Sequence, residues 1–428
     1  MNVKSVLKDS LKIYSGKILS FLFANLTFLM LSIYMLKDQF GIFVMVRQLF
    51  LVLISLVNIF GVPASIAFFA AKTESYDINL KRIISFIGIF SAIIMVPIFG
   101  IELLLKPFLY NNLSSFLLFL LVLMVPIYLI QQALTGFFMG KNKINFFVLT
   151  LIALPIIFFL SSIAALKFDY KNANNMTMIW LLANGLAALV SLYSYLRYSG
   201  KKIGIIEEIK IQKLTGFGLT LMPVGIMACL TARVDRFIIN GFLGASSVAE
   251  YSIAMTFAEL SWFISFALYG SIFKKIASAN ETEARKMTLK YLKYCLGALI
   301  LFSIIYIPVV LFAIGRIFGS KYPNLGYLFI ISYPGIALLN FNMVSDAFIT
   351  GQLGKPILTF FFTIPTLLCL LILNMIAIPI WGLKGAAFVA TFSYVLAVII
   401  TLIFIATKKP ADKIKNKPII NYETIPEI

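Results

Sequence analysis

Arg233, Asp235 and Arg236 stand within four residues of one another, inside an apolar stretch running from 216 to 241. Ionisable groups are costly in lipid, so within a membrane helix they tend to face the bundle interior or a water-filled cavity. A helix turns about 100° per residue, which places Arg233 and Arg236 about 60° apart on one face and Asp235 about 100° from Arg236. Two arginines on one face can grip a single anion, because the planar guanidinium fork donates bidentately to phosphate. Asp235 lies on another face and is read as a pairing partner for a neighbouring helix. Arg47 (apolar run 41–70) and Glu259 (run 248–272) are further ionisable groups at depth, and Asn25 is a neutral polar group in the run 14–36. These six residues are the candidate lining of a cationic cavity. The competing reading is that the charges snorkel to head groups or close structural ion pairs, and that the polar side chains bond adjacent helices.

The elements that must position them are transmembrane helices. Of 428 residues, 61% are apolar and 12% charged. A soluble domain carries about 45–50% and about 25%, so the apolar excess must face lipid. Twelve apolar runs reach the length of about 20 residues that a span needs: 14–36, 41–70, 82–105, 113–139, 145–166, 176–197, 216–241, 248–272, 288–314, 324–350, 356–379 and 383–406. The basic residues preceding the first run are not expected to introduce a cleavable leader, because that run is too long and no small-residue cleavage pattern follows. Proline recurs inside the runs, for example Pro126, Pro155, Pro223, Pro308, Pro334 and Pro365. Membrane bundles tolerate it because neighbours satisfy the freed carbonyls.

The net charge of +19 has a topological origin. With the N-terminus inside, alternate connections collect 25 of the 36 Lys and Arg residues, the opposite connections 7, and the helices themselves 4. That asymmetry follows the positive-inside rule and places both termini in the cytoplasm. The basic residues form no separate domain, which argues against a nucleic-acid partner.

The chain also repeats itself. Ala133, Gly140 and Lys141 recur as Ala347, Gly354 and Lys355, each 214 residues on. Thr27 and Phe43 align with Asp235 and Tyr251 at an offset of 208. A duplication of six helices, an even number, gives parallel repeats related by an axis along the membrane normal. The expected plan is an all-α membrane protein of about twelve helices in two six-helix lobes. The N-terminal lobe spans 1–200, a charged and helix-capable cytoplasmic linker 201–215, the C-terminal lobe 216–406, and a cytoplasmic tail 407–428.

Several activities lack their residues. The sequence has no histidine, and its three cysteines lie singly in apolar runs, so no metal-ligand set is expected. The string Gly351-x-x-Gly354-Lys355-Pro356 has neither the spacing nor the hydroxyl residue of a phosphate-binding loop. No nucleophile or zinc motif is present, and the connections are too short for an external catalytic domain. The expectation is a non-enzyme without a cofactor.

The segment from Arg233 through Asp235, Leu243-Gly244 and Val248 to Tyr251 resembles the R-x-D-x-x-x-I-x-x-x-L-G-x-x-x-V-x-x-Y stretch of Wzx-type polysaccharide-unit (O-antigen/capsule) flippases. These belong to the multidrug/oligosaccharidyl-lipid/polysaccharide (MOP) exporter superfamily. Phe40-Gly41 with Phe60-Gly61-Val62-Pro63, and Gly382-Leu-Lys-Gly385-Ala386-Ala387, are similar to further patches of the same family. The resemblance implies two lobes around a cavity, and movement of an undecaprenyl-diphosphate-linked oligosaccharide to the outer leaflet of a bacterial cytoplasmic membrane by alternating access. Inward H+ or Na+, or the membrane potential acting on a charged substrate, would drive such a cycle, with a polysaccharide polymerase as a further partner, and the resemblance carries the cationic cavity onto Arg233, Arg236 and Arg47. The first repeat has Asn25 and Thr27 where the second has Arg233 and Asp235, so a charged clamp would be one-sided. The alternative within the superfamily is a cation-coupled multidrug exporter, which would rely on Glu259 and Asp235.

Overall fold

The computed structural model describes residues 3–57, 114–199, 222–355 and 357–408, with scattered positions between 65 and 100. Most of the expected third span (82–105), the linker 201–215 and the tail from 409 lie outside the described residues. All regular structure among the described residues is helical. It comprises α1 (Val3–Tyr34), α2 (Lys37–Val57), α3 (Ser115–Gly140), α4 (Ile144–Lys167), α5 (Ala173–Ser199), α6 (222–231), α7 (Val234–Leu243), α8 (Ala245–Glu259), α9 (Phe263–Ser278), α10 (Glu281–Ala313), α11 (Leu325–Leu338), α12 (Asn340–Asp346) and α13 (Ile357–Thr407). Eight helical stretches among them are long and apolar enough to cross a membrane. The chain thus has the all-helical membrane architecture that its composition demands.

The differences from the expected spans are local and have physical causes. The seventh span is broken at Ala232–Arg233, between α6 and α7. The eighth is broken by a tight turn at Leu260–Trp262, between α8 and α9. The tenth divides into α11, α12 and a wider π-turn at Ala347–Gln352. The eleventh and twelfth run together as α13, where Gly382 (φ 59°, ψ −142°) is the sole non-helical residue. Apolar counting passes over such breaks because the runs around them stay apolar on average, even where Arg233 stands at one of them. Lipid does not tolerate the freed backbone groups unless protein satisfies them. Here two interrupted helices do so for each other: the Trp262 indole donates to the Ile336 carbonyl at 3.2 Å, and the Ser265 amide donates to Asn340 Oδ1 at 3.1 Å.

The chain divides into two compact units. The first contains Met1–Cys229 and Arg236–Glu250; the second contains Leu230–Asp235 and Tyr251–Ile428. In the first, α4 packs on α1 and α5, and α3 packs on α5. Phe50 of α2 sits edge-on to Trp180 of α5 at 4.9 Å and to Tyr128 of α3 at 5.5 Å. Ser114 caps α3 by accepting from the Leu117 amide. The short connections after α3 and α4 turn on Asn142 and Asp169, both at positive φ, a conformation these two residue types enter more readily than most. In the second unit α11 packs along α13, and α9 packs against α10, α12 and the π-turn. Gly335 of α11 lets the backbone of Thr391 approach so closely that a Cβ there would stand 2.5 Å from it. Lipid removes the hydrophobic drive for helix association, so such close approaches and the dispersion they allow hold the bundle together. Large apolar side chains cover the outside, including Leu36, Ile305 and Phe312, each at least two-thirds exposed. A monomer in water would not present so continuous an apolar surface.

Candidate functional site

The motif segment folds as a helical hairpin. α7 ends at Leu243, and Gly244 follows at φ +78° with its amide donating to Asn240. That left-handed residue after a helix end favours glycine, which gives the Leu-Gly pair of the motif its physical reason. α8 then begins at Ala245.

The break before α7 alters the geometry expected of the arginines. Arg233 sits in a turn, its amide donating to Leu230 at 3.0 Å, so the 60° separation computed for an unbroken helix does not hold for it. Arg236 lies in the first turn of α7 and is only 5% exposed. Asp235, in the same turn, is fully buried and accepts from the Tyr251 hydroxyl of α8 at 2.7 Å. A carboxylate in a first turn is also favoured by the helix dipole. Tyr251 was named in the motif but not among the candidate residues; its 16-residue spacing from Asp235 was the available signal.

Arg47 is half-buried on α2, its guanidinium carbon 5.7 Å from the Phe28 ring centre and 5.9 Å from that of Phe43. Stacking on aromatic faces suits a guanidinium in a partly dry setting. All three arginines, with Asp235 and Glu259, make further contacts with neighbouring groups. Asn25 is half-buried on α1 and donates its side-chain amide to its own helix at the Phe21 carbonyl, 2.8 Å. Glu259 is the last residue of α8, at the edge of the Leu260–Trp262 turn. Asn25, Arg47 and Arg236 belong to the first unit, and Arg233, Asp235 and Glu259 to the second.

Several polar contacts were not foreseen. At the start of α2, Lys37 pairs with Glu250 of α8 at 2.6 Å, Asp38 accepts from the Ser246 hydroxyl, and Gly41 lies against the Ala245 carbonyl. In the second unit Asp346 accepts from Tyr269 at 3.0 Å and from Thr350 at 2.5 Å. Asn340 is fully buried and spends both ends of its amide on backbone, at Ser265 and Ala337, so it repairs a helix break. No group of three or more metal-ligating side chains occurs among the described residues.

The sequence profile of the family described as polysaccharide biosynthesis protein matches residues 6–261. This chain belongs to the polysaccharide biosynthesis protein family. The match takes in α1 to α8 and the motif hairpin whose geometry is given above. An uncharacterized membrane protein of Methanocaldococcus jannaschii is 23% identical over 404 residues, covering 86% of this chain and 78% of that protein. Among solved structures, the MATE multidrug transporter DinF-BH superposes with a TM-score of 0.67 at 15% identity, covering 95% of this chain and 96% of that one. The lipid II flippase MurJ in its inward closed conformation gives 0.67 at 12% identity, covering 94% and 88%. At these identities the likeness establishes the fold alone, which this chain shares with the MATE transporter and the lipid II flippase.

Proposed function

We propose that this polysaccharide biosynthesis family member is a flippase carrying an undecaprenyl-diphosphate-linked oligosaccharide repeat unit from the inner to the outer leaflet of a bacterial cytoplasmic membrane. The product would feed O-antigen, capsule or exopolysaccharide assembly, with a polysaccharide polymerase as the next partner. The observation that carries the reading is Arg236, a guanidinium 5% exposed in the first turn of α7, in a chain of this family. A buried arginine aligned with a helix N-terminus suits an anionic head group, and a diphosphate is the anionic part of such a substrate. Arg47, in the same unit, joins it as a head-group ligand, and Asp235 holds the hairpin through Tyr251; Arg233, Asn25 and Glu259 are to be tested by the same export assay. In this reading the lobes 1–200 and 216–406 alternate access around the 201–215 linker, both termini stay cytoplasmic, and H+ or Na+ entry or the membrane potential supplies the drive. One charge crossing 100 mV is worth about 2.3 kcal/mol, enough to bias the cycle. The chain performs no bond chemistry of its own.

The test is the fate of the lipid-linked sugar in cells lacking the protein. Accumulation of single undecaprenyl-diphosphate-linked repeat units facing the cytoplasm, with surface polymer lost, is the expected result. Normal polymer without an accumulated intermediate, in cells with no redundant flippase, overturns the proposal. The second reading, a cation-coupled multidrug exporter, draws on the equal TM-score of the MATE transporter and on the depth of Asp235 and Glu259. It requires drug accumulation to rise on deletion.

A further inference from the structure

The outward face of α10 changes character along a single stripe. Lys286, Lys290 and Lys293 are all exposed. At about 100° per residue they fall within about 60° of one another when viewed down the helix. Continuing on the same bearing come Gly297, Ile300 and Ile304, the two isoleucines more than half exposed, flanked by Leu301 at 68%. The stripe therefore passes from three ammonium groups to bare aliphatic surface within about two turns, with no change of direction. Aliphatic side chains so exposed face lipid tails, so the lysines above them face the head groups of the same leaflet.

The local chemistry fits an interface. Tyr294 is 55% exposed at the point of change, and the Lys290 ammonium lies 5.7 Å from its ring centre. Tyrosine and lysine are the side chains that settle at the membrane–water boundary. Lys286 and Lys293 are about 10 Å apart along the axis, comparable with a head-group layer of about 5–7 Å and the reach of a lysine side chain. None of the three makes an ion pair among the described residues. The nearest carboxylates on the helix lie in its first turn. Glu281 is held by Lys408 at 2.8 Å, and Glu283 is exposed, its amide capped by Asn280. Three cations without an ion pair among the described residues, on a lipid-facing stripe, call for an anionic counterpart.

We propose that the Lys286–Lys290–Lys293 stripe is a docking surface for anionic phospholipid head groups, in the leaflet that the asymmetry of loop charge assigns to the cytoplasmic side. The surface lies on one element of the second unit and does not depend on what the protein transports. Each lysine near an anionic surface contributes enough to change partitioning about fivefold.

The experiment uses full-length protein in nanodiscs of phosphatidylcholine containing phosphatidylglycerol, with the relative affinity for the two lipids read by native mass spectrometry. Wild type is expected to prefer phosphatidylglycerol. The combined Lys286→Gln, Lys290→Gln and Lys293→Gln variant is expected to lose that preference by about a hundredfold, and the corresponding triple Arg variant to keep it. A triple Gln variant with unchanged helicity and phosphatidylcholine binding that retains the wild-type preference overturns the proposal. Should that variant fail to fold, Lys290→Gln alone is read in the same way, and no loss of preference overturns it.

Discussion

Tyr251 and Asp235 show how a motif residue can act through its neighbour. Both side chains are fully buried, and the hydroxyl satisfies the carboxylate at 2.7 Å. Tyr251→Phe removes that donor without changing volume, and withdrawing a hydrogen bond from a buried charged group costs about 1–3 kcal/mol. The expected outcome is a lower unfolding temperature in detergent, measured by scanning fluorimetry on purified protein. At Arg236 the expected effect is on export. Arg236→Ala should sharply reduce surface polysaccharide at normal protein level. Arg236→Lys should recover only part of it, because lysine keeps the charge and loses the planar fork. Full export by Arg236→Ala would remove this residue from the head-group site.

At the scale of elements, two glycines fail for opposite reasons when substituted. Gly382 adopts φ 59° and ψ −142°, and an added Cβ there would meet nothing within 4 Å. The cost of Gly382→Ala is therefore backbone strain alone, about 1–3 kcal/mol. Gly41 lies inside α2, where an added Cβ would sit 1.9 Å from the Ala245 carbonyl. Gly41→Ala must push the start of α2 away from the start of α8 and disturb the Lys37–Glu250 and Asp38–Ser246 contacts. Both variants are expected to unfold at lower temperature. Only Gly41→Ala should slow formation of a disulfide engineered as Asp38→Cys with Ser246→Cys, two short side chains that meet directly, scored by gel mobility. Equal cross-linking in the two backgrounds would contradict this account.

For the whole molecule, topology is the property to fix first. In a chain with Cys229, Cys295 and Cys369 replaced, Lys171→Cys between α4 and α5 should react with an impermeant maleimide in intact cells. Lys143→Cys between α3 and α4 should react only after permeabilisation. Both positions are exposed, and the Lys171 pair with Asp169 at 2.6 Å lies at the surface, where it contributes little to stability. The reverse labelling would overturn the placement of both termini in the cytoplasm.

The amino-acid sequence by itself determined that the chain is an all-helical membrane protein, because runs of about 20 apolar residues have one stable form in lipid. The ends of α3 (Ser115–Gly140) and α4 (Ile144–Lys167) fall within two residues of the apolar runs 113–139 and 145–166, since polar loop residues mark them sharply. The motif from Arg233 to Tyr251 was equally legible, as its glycine and buried charges break an otherwise uniform apolar pattern. Only the tertiary structure decided where helices break, as at Ala232–Arg233 and Leu260–Trp262. No proline or glycine stands at either place; the Arg233 amide turns back on Leu230, and past the second break the Ser265 amide is satisfied by Asn340, far away in sequence. It also decided which side chains meet. Lys37 and Glu250 are 213 residues apart, and Asp38 and Ser246 are 208. Periodicity reports the face on which a residue lies, but contacts between distant segments depend on the packing of helices whose apolar surfaces look alike in sequence.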